Sequence, residues 1–545
     1  MTESEKSPST VPTATDPGDP GESRVDVGSD SRSGTRTVAS EIVGIGMLAA
    51  LPILLLSPNY MLGHPYWLDE SWVALTERAP LSQLLMTAAS TPIGWVGLML
   101  LVPGGGEQHQ RLLPLAFAIG TVIFAYLFAR DLRWPTPGYG RIAGTVTALL
   151  VAIAPIALLR QDLKQYTADA FVTLLILWLV VRLEATWSGR RLWTLAAISV
   201  VGSLVSYASM FVVAAAFVAL VVVAAVQRRR RRLIDTVIAG AATASGLIIV
   251  ALVFILPGVS DALATYWKSS YLSLGDGPWA LIGEIWDRFD ALAPLLGFKW
   301  AWLAVLFAIT GVVVVARLGR MAAALILPIL YVEMIALGLL DKYPFLNQRT
   351  SHFLLLLTVA FAAIGISGLA ASLQRRWRTI GSFALIAMVA FVFYAVSPYI
   401  GIESIPNEDA RSQARSVEEN FRPGDTILVS SPGRWAFAYY WDVDDPVFAP
   451  NARSANGYSI GYDEDYIVIA PGRTPSEVED GLDEALHAAS NPNGSGRIWL
   501  VRSHMNVPET EAWQSVLDRE DLAVEILDVG PEPLLLVTIQ QGHGS

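Results

Sequence analysis

The sequence contains no cysteine among its 545 residues, and only 16% of its residues are charged. Without cysteine, the chain can form neither disulfides nor cysteine-ligated metal sites. Soluble domains carry about 25% charged residues, so the deficit indicates a lipid environment, in which buried charge is costly. The net charge of -11 argues against nucleic acid as a partner. Lysine is also absent from the sequence after residue 400, where carboxylates accumulate.

Apolar residues make up 53% of the chain and are concentrated in eleven runs. Each run approaches the roughly 20 residues that a helix needs to cross a hydrocarbon core. Lipid offers no partner for backbone N–H and C=O groups, so these runs predict transmembrane helices. They lie near residues 37–57, 111–129, 142–159, 167–183, 191–207, 209–226, 233–256, 298–316, 321–340, 352–373 and 379–397.

Arginines cluster in short connections between the runs, at 130–141, 182–191, 228–232, 317–320 and 375–378. Because positively charged loops remain cytoplasmic, this pattern predicts eleven spans with a cytoplasmic N-terminus. The opposite side then receives the other connections, at 58–110, 160–166, 257–297 and 341–351, and everything after about residue 398. The short apolar segment 91–102 is interpreted as an interfacial helix rather than a twelfth span.

Composition divides the chain into three predicted parts. Residues 1–36 are rich in Ser, Pro, Gly and Asp and predict a disordered cytoplasmic tail. Residues 37–398 predict the membrane domain, with juxtamembrane helices in outer loop 58–110 and a second outer loop at 257–297. Residues 399–545 alternate β-rich runs with helical patterns, which predicts an extracytoplasmic α/β domain. Its predicted strands are 426–430, 466–470, 497–502, 523–527 and 534–539, and its predicted helices are 407–419, 475–489 and 509–519.

An acidic pair, Asp69-Glu70, follows the first apolar run within an aromatic segment. A carboxylate that is partly desolvated near the membrane surface has a raised pKa and is a competent general base. The alternative is that Asp69 caps a helix that begins near Ser71, with Glu70 in its first turn. Both interpretations remain open on spacing alone.

Three further polar groups fall on the predicted outer side, where polar residues at helix ends often mark a site. They contain Arg111; Asp162, Lys164, Tyr166 and Asp169; and Arg349 with His352. Arginine and lysine at such positions suit a phosphate group. The alternatives are a snorkelling Arg111, a charged boundary anchor at Lys164 and a helix-start histidine at His352.

The ordered set resembles the GT-C superfamily of membrane glycosyltransferases. The resemblance is to the bacterial branch of protein mannosyltransferases and the lipid A aminoarabinose transferase, which is similar to glycosyltransferase family 39. It covers roughly residues 37–375, and its motifs are Trp67-Leu68-Asp69-Glu70-Ser71-Trp72, Thr91-Pro92-Ile93-Gly94-Trp95, Glu107…Arg111, Lys164-Gln165-Tyr166…Asp169 and Tyr343-Pro344-Phe345…Arg349. The juxtamembrane motif departs from the family in having one proline rather than a pair.

The resemblance implies an α-helical, polytopic glycosyltransferase of the bacterial plasma membrane. Such an enzyme moves a sugar, with inversion, from a polyprenyl-phosphate donor to an extracytoplasmic glycan, lipid or protein. The implied site has Asp69 as general base, Asp169 or its rival Asp162 as second acidic residue, Glu70, Tyr166 and His352 in support, and Arg111, Lys164 and Arg349 at the donor phosphate. No residues are assigned to a metal, although some relatives use Mg or Mn at the phosphate.

Two other functions fit the same features. A transporter or flippase of lipid-linked glycans would share the many spans and the basic outer residues, but the sequence shows no inverted repeat. A non-catalytic membrane protein that binds envelope glycan would leave the four polar groups unrelated in space. The positions of Asp69, Lys164 and Arg349 relative to one another therefore discriminate between these functions.

Overall fold

The computed structural model describes residues 28–55, 62–88, 91–102, 106–158, 162–258, 261–376, 378–399, 408–442, 445–451, 454, 457–492, 494–527 and 532–540. The chain divides into two compact units, residues 1–46 and 47–545. The described part of the first unit is helical, and the predicted tail residues 1–27 lie outside the described residues. All candidate site residues belong to the second unit.

The region before residue 400 is helical. Its helices are α1 (Gly28–Leu55), α2 (Leu68–Leu75), α3 (Leu84–Thr87), α4 (Ile93–Leu100), α5 (Glu107–Gln110), α6 (Leu112–Arg130), α7 (Tyr139–Ile153), α8 (Pro155–Leu158), α9 (Tyr166–Ala185), α10 (Gly189–Val205), α11 (Ser209–Val226), α12 (Arg230–Val250), α13 (Asp261–Tyr266), α14 (Pro278–Leu292), α15 (Ala301–Arg317), α16 (Met321–Leu339), α17 (His352–Arg376) and α18 (Arg378–Val396).

Within the described ranges, the eleven apolar runs lie on these helices, and the run 142–159 is divided between α7 and α8. Among the described residues, five helical segments are long and apolar enough to cross a membrane, and a bent pair formed by 278–296 and 301–317 could add a sixth. The prediction of a polytopic helical membrane protein is confirmed, whereas the number of eleven spans stays a prediction. Helix α1 begins at Gly28, ahead of the apolar run, because a helix can continue into polar residues whose backbone is solvated.

Helices α15 and α17 pack against each other, and 94% of the apolar window of α17 is buried. A Cβ atom at Gly311 would lie 1.9 Å from the backbone oxygen of Phe361, and one at Gly365 would lie 2.2 Å from that of Phe307. Only glycine therefore permits this approach of the two backbones, a common arrangement for helices in lipid.

Segment 91–102 contains the eight-residue helix α4. At 1.5 Å per residue it is about 12 Å long, less than half of a hydrocarbon core of about 30 Å, so it does not cross. Its Trp95 is fully buried, and the indole N–H donates to the backbone oxygen of Leu163 at 3.1 Å. Helix α4 thereby supports the loop that carries Lys164.

The C-terminal domain contains a mixed five-stranded sheet of order β4-β1-β5-β7-β6. Strands β4, β1 and β5 are parallel, with Ile427 paired with Ile467 and Trp499, whereas β7 and β6 extend the sheet in antiparallel register. A separate hairpin joins β2 and β3. The elements are α19 (Ala410–Asn420), β1 (Thr426–Val429), α20 (Arg434–Tyr440), β2 (Val447–Pro450), β3 (Tyr458–Gly461), β4 (Ile467–Ile469), α21 (Pro475–Ala489), β5 (Arg497–Val501), α22 (Val507–Leu517), β6 (Leu522–Ile526) and β7 (Leu535–Ile539).

All five predicted strands and all three predicted helices of this domain are present, although the predicted first residue of α19, Asn407, lies outside the described residues. Thr474 and Glu477 form a capping box that fixes the start of α21. Helix α20 and the hairpin were not predicted, because each is too short to show a clear period. The confirmed fold class is a helical membrane protein with a C-terminal sheet-containing domain.

Helix α20 packs against α2, which lies between the apolar helices α1 and α6 in the sequence. The rings of Tyr66 and Tyr439 are 5.1 Å apart, and those of Trp72 and Trp435 are 6.4 Å apart. The hydroxyl of Tyr458 donates to the backbone oxygen of Trp72 at 3.3 Å. The C-terminal domain is therefore docked on the segment that carries the acidic pair.

Candidate functional site

The acidic pair lies in the first turn of α2. The N-cap residue is Trp67, in extended conformation and without a side-chain cap, and the helix begins at Leu68. In the alternative interpretation, the N-cap role of Asp69 and the start near Ser71 are therefore wrong, whereas the position of Glu70 in the first turn is confirmed. Adjacent residues of a helix point about 100° apart, so Asp69 and Glu70 face different surroundings.

Asp69 forms an ion pair with Arg349, a residue 280 positions away in the loop before α17. The Oδ2 to Nη1 distance is 3.0 Å, and 14% of the Asp69 side chain and 28% of the Arg349 side chain are exposed. Burial acts to lower the pKa of Arg349, but the charge of Asp69 outweighs it and raises that pKa. Both side chains of the pair are partly accessible to solvent.

Lys164 lies buried beside this pair. Its Nζ atom is 4.0 Å from the centre of the Trp72 ring, and the Arg349 guanidinium is 5.2 Å from that of Trp67. Burial lowers the pKa of Lys164, against the opposing charges of Asp69 and Asp162. The two cations thus lie over the rings of Trp67 and Trp72, which are the N-cap and the fifth residue of α2, a favourable arrangement for both.

Glu70 and Arg111 form a second ion pair, in which both side chains are fully buried. The Nε atom of Arg111 donates to Glu70 Oε1 at 3.0 Å, and the same oxygen accepts the Leu163 N–H at 2.9 Å. The guanidinium also donates to the backbone oxygens of His64 and Pro65. This pair links α2, the start of α6 and the loop that carries Lys164.

The remaining predicted residues divide between two places. Asp162, Tyr166 and Tyr266 lie within electrostatic range of Arg349, and Asp162 also lies within range of Lys164, so these residues are near the Asp69 site. Asp169, in α9, instead forms a hydrogen bond with the side chain of Ser206, which lies between α10 and α11.

His352 is buried at the first residue of α17. It lines a small cavity of about 30 Å³ whose walls include Pro52, Thr121, Thr167 and Leu356. The side chain is 1% exposed. The structure therefore gathers Asp69, Asp162, Lys164, Tyr166 and Arg349 in one cluster and places Asp169 and His352 elsewhere.

The C-terminal domain contributes two residues that the sequence analysis missed, Glu408 and His504. Glu408 accepts the Leu68 N–H at 3.1 Å and contacts His504 Nδ1 at 2.7 Å. The His504 ring lies 6.0 Å from that of Trp67. One signal was available, since His504 follows buried strand β5, and the carboxyl edge of parallel strands is where sites occur.

A metal ion needs several converging ligands. Within the described ranges, no three His, Asp or Glu side chains are grouped so that they could hold one. The two acidic residues of the cluster, Asp69 and Asp162, lie beside the cations Arg349 and Lys164. Among the described residues, these carboxylates therefore do not form a metal-binding set.

Comparison with known proteins extends this description. No protein-family model matches the sequence, and no curated protein matches it. The fold is similar to crystal structures of ArnT from Cupriavidus metallidurans. In the form bound to undecaprenyl phosphate, the TM-score is 0.52 at 12% identity, covering 92% of this chain and 98% of ArnT. In the apo form the TM-score is also 0.52 at 12% identity, covering 93% and 99%.

The chain has the GT-C fold. The similarity to ArnT runs over nearly the full length of both chains, so it extends beyond the membrane helices into the C-terminal domain. An archaeal oligosaccharyltransferase, AglB from Archaeoglobus fulgidus, is a weaker match with a TM-score of 0.46 at 12% identity, covering 84% of this chain and 69% of AglB. The resemblance to the GT-C fold expected from the ordered motifs is thus confirmed at the level of fold.

Proposed function

We propose that this protein is an inverting membrane glycosyltransferase that uses a polyprenyl-phosphate sugar donor and Asp69 as general base. The observation that carries the proposal is the convergence of Asp69 on helix α2 with Lys164 and Arg349, which lie on two loops far from it in the sequence. A carboxylate beside two cations suits a reaction in which a hydroxyl is deprotonated while a phosphate leaves. The same convergence is not expected of a glycan-binding protein whose polar loops are unrelated.

The donor class is supported by charge and by fold. Lys164 and Arg349 provide two cations for a leaving phosphate, and electrostatic stabilisation of developing charge is often the largest single contribution to catalysis. ArnT, which shares the fold, has been crystallised with undecaprenyl phosphate. The donor already carries its activation, so a nucleotide pocket is not required.

In the proposed reaction, an acceptor hydroxyl attacks C1 of the donor sugar while Asp69 takes its proton. The bond between C1 and the phosphate oxygen breaks, the electron pair leaves with the polyprenyl phosphate, and the single displacement inverts the anomeric centre. In the structure, Arg349 is paired with Asp69. An anionic donor competes for Arg349 and thereby releases the Asp69 carboxylate to act as a base.

The other residues take supporting roles in this proposal. Asp162, rather than Asp169, is the second acidic residue of the site, because its charge acts on Lys164 and Arg349. Arg111 acts through Glu70, which holds the Leu163 backbone and so the position of Lys164.

The proposal places the protein in the bacterial plasma membrane with its N-terminus in the cytoplasm. The cluster and the C-terminal domain then face outward, where the acceptor is a glycan, lipid or protein of the cell envelope. The arginine-rich connections between the helices support this orientation, because positively charged loops remain cytoplasmic.

The test is sugar transfer by the purified protein in lipid nanodiscs. A panel of labelled polyprenyl-phosphate hexoses and pentoses is incubated with cell-envelope acceptor, and the product is resolved from intact donor. Asp69→Asn should lower the rate by about 10²- to 10⁴-fold, the contribution of a general base. Asp276→Asn, an exposed carboxylate in a loop far along the chain, is the matched control and should retain wild-type activity.

Two results would contradict the proposal. Full transfer activity in a folded Asp69→Asn variant would show that Asp69 is not the general base. Movement of labelled lipid across the bilayer without cleavage of the sugar–phosphate bond would identify a flippase instead. A cation at the donor phosphate, Mg or Mn, stays a prediction, and adding EDTA to the same assay tests it.

A further inference from the structure

Helix α2 has no capping side chain of its own. Its N-cap residue, Trp67, lacks a polar group that could accept a backbone N–H from the first turn. The Leu68 N–H donates instead to Oε2 of Glu408, which is 340 positions away in the C-terminal domain. A carboxylate at this position accepts a hydrogen bond from an N–H that has no partner within the helix. Its negative charge is also stabilised by the positive end of the helix dipole, as at an N-cap.

Glu408 is held firmly in this position. The Ser503 hydroxyl donates to its Oε2 at 3.2 Å, and His504 Nδ1 lies 2.7 Å from its Oε1. The loop that carries both is fixed in turn, since the backbone N–H groups of His504 and Met505 each donate to Glu532 at 2.8 Å. His504 has a φ of +56°, which is costly for a residue with a side chain and is retained by these bonds.

His504 also reaches the Asp69 cluster. Its ring lies 6.0 Å from that of Trp67, and the Arg349 guanidinium lies 5.2 Å from the same ring. The charges that act on His504 are those of Glu408, Arg473 and Asp69, and it in turn acts on Glu532. Burial lowers the pKa of His504, but the bond and the charge of Glu408 outweigh it and raise that pKa.

We propose that Glu408 is a positioning residue for Asp69. It caps the helix that carries Asp69 from the C-terminal domain and holds His504 against Trp67, so that this domain forms part of the site. The inference deepens the proposed function and rests on it for its kinetic consequence. Its structural consequence, a more stable start of α2, is independent of any activity.

The first measurement is hydrogen exchange of peptides covering residues 68–75 in the full-length protein. Glu408→Ala should increase exchange in this peptide at least about tenfold, because the first turn of α2 loses its cap. Glu408→Gln retains an oxygen for the Leu68 N–H and should stay closer to wild type. Glu477→Ala is the matched control, since it removes a capping carboxylate in the same domain but at α21.

The second measurement is transfer kinetics. Glu408→Ala should lower kcat by about 10- to 100-fold, because a small misplacement of a catalytic group has effects of this size. Binding of labelled undecaprenyl phosphate should change by less than about twofold, and Glu477→Ala should leave kcat unchanged. Glu408→Gln should lose less kcat than Glu408→Ala.

The outcomes are distinguishable. Unchanged exchange of residues 68–75 in Glu408→Ala, or an equal increase in Glu477→Ala, overturns the capping role. Wild-type kcat in a Glu408→Ala variant whose α2 exchange is increased overturns the link to Asp69. Absence of transfer by the wild-type protein with every donor counts against the proposed function alone, and the exchange experiment still decides on the cap.

Discussion

The buried pair of Glu70 and Arg111 offers a quantitative test of how α2 is held. Both side chains have no exposed surface. Glu70→Gln preserves the shape but leaves the Arg111 guanidinium without a counter-ion, and breaking a buried pair in this way costs about 3–5 kcal/mol. The Leu163 N–H can still donate to the amide oxygen of the glutamine side chain. This hydrogen bond is therefore kept and adds little to the cost.

Removing both charges should be less damaging than removing one. In a Glu70→Gln, Arg111→Met double variant no buried charge remains unpaired. The backbone oxygen of His64 loses the Arg111 donor, whereas that of Pro65 keeps its contact with His64 Nδ1, and an unsatisfied buried acceptor costs about 1–3 kcal/mol. We therefore expect the double variant to be more stable than Glu70→Gln alone, by about 2 kcal/mol.

The assay is equilibrium unfolding in mixed micelles, followed by the fluorescence of the 17 tryptophans. Asp483→Asn, which breaks a largely exposed pair with Arg519, is the control and should cause no measurable loss, because exposed ion pairs contribute little. The reasoning is refuted if Glu70→Gln costs less than about 1 kcal/mol. It is also refuted if the losses in the two single variants simply add in the double variant.

Three further predictions concern the site and the C-terminal domain. Asp162→Asn should lower kcat/KM by more than about tenfold in the transfer assay, whereas Asp169→Asn should change it by less than about threefold; equal losses would contradict the choice of Asp162. Lys164→Met should lower kcat/KM by about 10²-fold through loss of charge at the leaving phosphate, and unchanged kinetics would exclude that role. Burial raises the pKa of Glu509 to about 7, so stability associated with its protonated form is present below pH 4.5 and is lost as pH rises through 7. Glu509→Gln should therefore raise the Tm at pH 8 but not at pH 4, and an equal shift at both values would contradict this.

Local patterns predicted the elements of the fold. Hydropathy is a property of a short window, so each apolar run marks a helix without knowledge of its neighbours. The buried strands β1 and β5 also read directly as apolar runs, because parallel strands are covered on both faces. Helix α20 was missed because its burial depends on α2, which lies more than 350 residues away in the sequence.

The site was predictable only in part. The order of polar motifs placed Asp69, Lys164 and Arg349 on one side, but no spacing showed that Arg349 would meet Asp69. The spacing also could not show that Arg111 faces Glu70, because that depends on the direction in which each side chain of the acidic pair points. Glu408 was missed because its contact with Leu68 exists only once the C-terminal domain has docked.

The position of Asp69 must therefore come from tertiary contacts rather than from α2 itself. A helix of eight residues is too short to be stable alone in water. Glu70 ties it to the membrane helices through Arg111, whereas Glu408 caps it from the C-terminal domain. Because these two contacts come from different parts of the chain, neither part alone fixes the position of the Asp69 carboxylate. The proposed catalytic geometry consequently depends on domain docking, and a change at the interface should alter kcat without touching a substrate.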